Sequence, residues 1–184
     1  MKHLTFALML NFAIAGAYAQ SLPVRLTFSG SSAGSSIDLK VPNTTTGEED
    51  LAGMGSLGTF TFQLFKASVN APQSSNTCSG LYFPNLAGGG LFRFQDGSLL
   101  TVSLTGGADC IDLVHGLAHC NLTFKITGGT GRFQKASGVL TLTETALPVL
   151  FDGQNNPVYF SEAGAITGAI AGAPGGDDSK ELQL

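Results

Sequence analysis

Apolar and polar residues alternate with a period of two along much of this chain. The alternation is clearest where Phe60, Phe62 and Leu64 are separated by polar residues. A period of two predicts β-strands that are buried on one face. Strands are predicted at 24–29, 37–41, 60–64, 81–83, 91–95, 100–104, 139–145, 149–151, 158–160 and 165–171, with a further hairpin over 111–126.

Turn-forming residues separate these predicted strands. Asp96-Gly97, between Phe94 and Leu100, is a strong two-residue hairpin signal. The polar stretches 29–36, 43–58 and 70–79 are predicted to be loops, Gly88-Gly89-Gly90 to interrupt two strands, and Pro148 to mark a turn.

About ten short strands without a helical pattern predict an all-β fold. The strands must either pair into two packed sheets or close on themselves. We expect a single closed antiparallel barrel, because closure leaves no strand edge for other chains to pair with. A two-sheet β-sandwich is the alternative.

The first residues have the layout of a secretory signal peptide. Lys2 precedes an uncharged stretch that ends in the small-residue pattern Ala17-Tyr18-Ala19. The apolar part is shorter than the ~20 residues that a membrane span needs. We therefore predict a signal peptide over 1–19, a barrel domain over 20–173, a disordered tail over 174–184, and a secreted protein, extracellular or periplasmic, with no membrane span after cleavage.

Charge argues against polyanionic partners. Only 12% of the residues are charged, and the formal net charge is −4. Nucleic acids and anionic membrane surfaces require clustered Lys and Arg, and the sequence has no such cluster. We predict no nucleic-acid partner and no cofactor.

Three cysteines in an exported chain predict one disulfide and one free thiol. Cys110 could pair with Cys120 across a hairpin or with Cys78 across a longer loop, and spacing does not decide between them. His115 and His119 lie near two of the cysteines, but no second ligand cluster supports a metal site. We predict no metal, and both histidines are expected to face water.

One stretch carries a resemblance to a known family. The strand ending at Ile126 leads into Gly128, Gly129 and Gly131, the aromatic Phe133 follows, and a Ser-Gly step opens the next strand. This order over Ile126–Leu142 resembles the allene oxide cyclase and dirigent barrel superfamily. The resemblance implies the barrel fold, with the glycines as a structural turn and Phe133 closing one barrel end. It does not carry the family's catalytic residues, which cannot be matched here.

Glu144 is the candidate for acid–base chemistry. It continues the parity of Leu140 and Leu142, so a regular strand would turn its carboxyl into the barrel, where burial would raise its pKa. If the strand ends or bulges earlier, the side chain reaches water instead. An apolar ligand inside the barrel would contact inward-facing aromatic residues, which we predict to be Phe60, Phe62, Phe92, Phe94 and Phe124.

Three functions fit these features. The leading one is a secreted barrel that binds a small hydrophobic molecule without chemistry of its own. The second is an isomerase or cyclase that acts on a flexible apolar substrate, with Glu144 as its polar anchor. The third is a non-catalytic surface or matrix module. Binding requires a cavity of roughly 300 Å³ or more, whereas the structural module does not.

Overall fold

Eight antiparallel strands close into a barrel in the computed structural model, which describes residues 21–173. Each strand pairs with the next along the chain, and β8 pairs with β1. The predicted closed barrel is confirmed, and the sandwich alternative is wrong. The strands are β1 (Leu22–Gly34), β2 (Thr44–Gly55), β3 (Phe60–Val69), β4 (Leu81–Phe94), β5 (Leu99–Asp112), β6 (Leu117–Gly129), β7 (Ser137–Phe151) and β8 (Pro157–Ala171).

The predicted signal peptide and the predicted tail lie outside the described residues, so both remain predictions. Within 21–173, no helix is long and apolar enough to cross a bilayer. The helical structure assigned in this range is a single 3₁₀ turn at Gly131–Phe133.

The first loop and second strand were predicted in the wrong places. Residues 37–41 do not form a strand, and β2 occupies 44–55, where we predicted a loop. The inward positions of β2 include Gly53 and Glu49, which face Phe28 and Ser32 of β1. Leu51 is the one large apolar residue on this inward face, so β2 lacks the apolar alternation that reveals a strand in sequence.

Other predicted breaks are also absent. β4 runs through Gly88-Gly89-Gly90, β7 runs through Pro148, and β8 joins the two strands predicted at 158–160 and 165–171. Gly90 is required by packing, because a Cβ there would lie 2.4 Å from the Phe62 ring. Gly90 thus makes room for the Phe62 ring inside the barrel, whereas a Cβ at Gly88 or Gly89 would meet backbone carbonyls of the neighbouring strands.

The interior divides into an apolar half and a polar half. The apolar half contains a continuous core in which Phe62 stacks on Phe92 with ring centroids 3.9 Å apart. Phe133 of the 3₁₀ turn is buried at this end and contacts Phe94 at 4.7 Å between centroids. Arg132 lies over both rings and pairs with Asp96. These contacts close the apolar end of the barrel.

The polar half lies toward the opposite end, where β1 connects to β2, β3 to β4, β5 to β6 and β7 to β8. Buried polar side chains here replace the leucines and phenylalanines of the other half. They are Glu49, Lys66, Asn85, Glu144 and Glu162.

Candidate functional site

Strand parity turns Glu144 into the barrel. In β7, Leu140, Leu142 and Glu144 are all buried, and Glu144 pairs with Cys120 of β6 and Gly164 of β8. The strand continues regularly past this position, so the alternative in which Glu144 reaches water is not adopted. Its catalytic role remains a prediction.

Glu144 lies in a group of charged residues, and the sequence analysis did not predict that these residues come together. We call Glu49, Lys66, Asp109, Glu144 and Glu162 the buried charge cluster. Lys66 Nζ lies 2.7 Å from Glu49 Oε1, 3.0 Å from Asp109 Oδ1 and 4.0 Å from Glu144 Oε1. One ammonium group is thus shared among three carboxyl groups.

Several carboxyl oxygens of the cluster lack hydrogen-bond partners. They are both oxygens of Glu49, both of Glu144 and Oε2 of Glu162. The 2.7 Å contact of Glu49 with Lys66 is therefore an ion pair that is not aligned as a hydrogen bond. Unpartnered buried charge costs several kcal/mol, so this interior requires protons, water or a further cation.

Burial and neighbouring charges shift the pKa values of three members of the cluster. Burial, together with the charges of Glu49 and Glu162, raises the pKa of Glu144 to about 9. Burial and the charge of Glu49 raise the pKa of Glu162 to about 7. Burial opposes the charged form of Lys66, but the carboxylates of Glu49 and Asp109 outweigh it and raise the pKa of Lys66 well above its usual value. At neutral pH, Glu144 therefore carries a proton beside a charged ammonium.

The members of the buried charge cluster differ in how much of each side chain is exposed to solvent. The Glu49 and Glu144 side chains are fully buried, whereas that of Asp109 is 16% exposed. Ser68 donates a hydrogen bond to Asn85 Oδ1 at 2.6 Å and a longer one to Asp109 Oδ2 at 3.4 Å. Water therefore reaches the cluster on the side of Asp109.

The five predicted ligand-binding phenylalanines lie in the packed core. Phe60, Phe62, Phe92, Phe94 and Phe124 are all buried and contact one another. Their positions agree with the predicted inward face. Binding of a ligand by these rings remains a prediction.

A groove of about 740 Å³ lies on the outside of the barrel, across β5 to β8. Its walls include His119, Asn121, Thr143 and Thr145, which alternate with buried residues and so face outward. Tyr82 and the segment Thr77-Cys78 form its other side. We call this feature the outer groove.

Cys78 and Cys110 form the disulfide, and Cys120 is free and buried. Cys110 pairs with His119, so it lies on the outer face, whereas Cys120 pairs with Asp109 and points inward. Opposite faces of the sheet prevent the alternative Cys110–Cys120 bond. The disulfide fastens the β3–β4 connection over the outer groove.

The histidines are exposed, as predicted. His115 Nδ1 lies 2.6 Å from Asp112 in the β5–β6 turn, and His119 is on the wall of the outer groove. Gly131 has φ +58, which favours glycine at the start of the 3₁₀ turn, while Gly128 and Gly129 end β6.

Comparison with known proteins finds similarity to solved structures. No protein-family model matches the chain, and no curated protein matches it. Among solved structures, the chain is similar to a pterocarpan synthase dirigent protein, with 14% identity, a TM-score of 0.40, and coverage of 89% of this chain and 98% of the other.

Proposed function

We propose that this protein is an exported binding barrel that holds a small, partly apolar molecule in the outer groove. The observation that carries the proposal is the volume of the groove, about 740 Å³. Small-molecule sites typically have about 300–1,000 Å³ and combine apolar surface with a few polar groups. The packed phenylalanine core offers less support for a ligand in the apolar half of the barrel.

The walls of the groove suit a molecule with an apolar body and hydroxyl or carbonyl groups. The Tyr82 ring and the alanines of β8 supply apolar surface, while Asn121, His119 and Thr145 supply donors and acceptors. The Cys78–Cys110 disulfide holds one wall in place. A wall fixed before binding reduces the ordering cost of association.

Native mass spectrometry of the protein purified from its own source tests this proposal. We expect a co-purified small molecule, and we expect Ala163→Trp to reduce its occupancy by about tenfold or more, because Ala163 lies in the groove. Ala169→Trp, on the same outward face of β8 but outside the groove, is the matched control. Absence of any bound molecule, or equal occupancy in the two variants, would contradict the proposal and favour a structural module.

Export is part of the proposal, and the disulfide is consistent with an oxidising compartment. Amino-terminal sequencing of the protein outside the cytoplasm should begin at Gln20. A protein that retains Met1 and stays in the cytoplasm would rule out export.

The alternative function is an isomerase or cyclase with Glu144 as its acid. It is favoured by the raised pKa of Glu144, whose Oε1 lies 4.0 Å from the Lys66 ammonium, since acid–base sites separate the pKa values of neighbouring groups. In this alternative the substrate enters the polar half of the barrel, where the Glu144 side chain points, and Glu144→Gln should retain binding and abolish turnover. Unchanged turnover would rule out this role, and Asp50→Asn, on the exposed face of β2, controls for loss of charge.

A further inference from the structure

Three glutamates of the buried charge cluster come together from separate strands. Glu49 of β2, Glu144 of β7 and Glu162 of β8 each place a carboxyl oxygen so that the three atoms lie within 4.8 Å of one another. All three residues are buried, with 0%, 5% and 4% of their surface exposed. Such convergence of acidic groups in a buried interior requires protons, water or a further cation.

A second observation points to what is missing from this arrangement. The Glu144 side chain is fully buried, and neither of its oxygens has a hydrogen-bond partner. Both Glu49 oxygens and Oε2 of Glu162 are also without hydrogen bonds. Buried polar atoms normally have partners, so these oxygens mark a place where a ligand atom fits.

Lys66 does not supply enough positive charge for the group. Its ammonium is already divided between Glu49 and Asp109, and it approaches Glu144 only to 4.0 Å. Among the described residues, Glu162 has no ion pair within 4.0 Å with any side chain. The cluster therefore has four carboxyl groups and one ammonium, which reaches three of them.

We propose that Glu49, Glu144 and Glu162 bind one calcium-sized divalent cation inside the barrel. Carboxylate oxygens are the ligands that hard cations prefer, and Ca²⁺ contacts oxygen at about 2.3–2.6 Å. Oxygens on opposite sides of such an ion are roughly 5 Å apart, so three oxygens within 4.8 Å of one another can all contact it. Mg²⁺ demands near-ideal octahedral geometry and gives up its waters reluctantly, so a buried set of three carboxyl groups suits it less. Water fills the remaining coordination positions on the side of Asp109.

Calcium titration of the mature, chelator-stripped protein tests this site. Isothermal calorimetry should give one ion per chain, the melting temperature should rise with Ca²⁺ concentration, and Mg²⁺ should bind more weakly. Glu162→Gln should weaken Ca²⁺ binding by about tenfold or more, since it replaces a charged carboxylate ligand with a neutral amide. Asp50→Asn removes an exposed carboxyl from β2 and should leave Ca²⁺ binding unchanged.

Glu144→Gln guards against misfolding as an explanation. Because this variant removes a buried acid, its fold should survive without metal, while its Ca²⁺ response is lost. The groove variant Ala163→Trp should respond to Ca²⁺ like the unaltered protein, so failure of the outer groove and failure of the cation site are distinguishable. No binding heat and no thermal shift at millimolar Ca²⁺, or equal responses of Glu162→Gln and Asp50→Asn, would overturn the proposal.

Discussion

Lys66 and Glu49 form an ion pair of 2.7 Å inside the barrel, where their side chains are 10% and 0% exposed. The pair joins β3 to β2 in the polar half, and the same ammonium also reaches Asp109 of β5. A buried pair contributes little net stability as a pair, but loss of one partner leaves the other charge without compensation.

Lys66→Met should therefore destabilise the protein strongly. We expect a loss of about 3–5 kcal/mol in the free energy of unfolding at neutral pH, measured by urea denaturation. Lys125→Met removes an exposed lysine from the outer face of β6 and should change stability little. Similar losses in both variants would show that the buried pair is unimportant.

The free energy of unfolding of the chelator-treated protein should fall as the pH rises. The pKa values of Glu144 and Glu162 are raised by burial to about 9 and about 7, from an ordinary value of 4.5. A carboxyl group with a raised pKa binds more protons in the folded state, so stability falls as pH rises from the ordinary pKa to the raised one. The effect of Lys66 is constant over this window, because its raised pKa keeps it charged throughout.

Unfolding free energies measured between pH 5 and 9 should thus decrease by on the order of 1 kcal/mol per pH unit for each ionising group. Glu144→Gln should flatten the profile, and Asp50→Asn should not. At low pH the profile should turn over, because hydrogen bonds from Ser98 lower the pKa of Asp96 and this stabilisation is lost on acidification. A profile that rises from pH 5 to 9 would contradict the placement of the acids.

The disulfide gives a separate prediction. Cys78 and Cys110 are 32 residues apart, and closing a loop of this length stabilises a protein by roughly 3–4 kcal/mol in the chain-entropy model. Cys78→Ser should lose about this much free energy of unfolding in chemical denaturation.

The free thiol of Cys120 should be protected in the native protein. Cys120→Ala should remain sensitive to reductant, and thiol reagents should label Cys120 only after unfolding, because it is buried. Rapid labelling of Cys120 in the native protein would be inconsistent with its inward position.

Gly90 tests the packing of the apolar half. A Cβ at this position would lie 2.4 Å from Cε2 of Phe62, so Gly90→Ala should cost about 1–3 kcal/mol of stability through overpacking. Gly106→Ala is the matched control, since nothing lies within 4 Å of a Cβ there. Equal thermal stability of the two variants would show that the Phe62–Phe92 stack adapts freely.

The fold was largely predictable from sequence, and the site was not. Alternation at Phe60, Phe62 and Leu64 and the turn at Asp96-Gly97 identified strands and a hairpin, because apolar residues fill that half of the interior. The polar half lacks this signal. Glu49 lay in a predicted loop since its strand turns glycine and glutamate inward, and Glu162 lay between two predicted strands.

Two members of the cluster did have a sequence signal. Glu144 was predicted from the parity of Leu140 and Leu142. Lys66 continues the parity of Phe60, Phe62 and Leu64, so extending that strand by two residues would have placed it inside. What no local pattern could predict is that five charged residues from five strands converge, because that depends on the register of the closed barrel.

The protonation of Glu144 tests the account most directly. Carbon-13 NMR of the side-chain carboxyl groups, followed across pH in chelator-treated mature protein, reports the pKa of each glutamate. We expect the Glu144 carboxyl to keep its proton at neutral pH and to titrate near 9. Titration near the ordinary value of 4.5 would show that the carboxyl is solvated, and would contradict a buried charge cluster in this barrel.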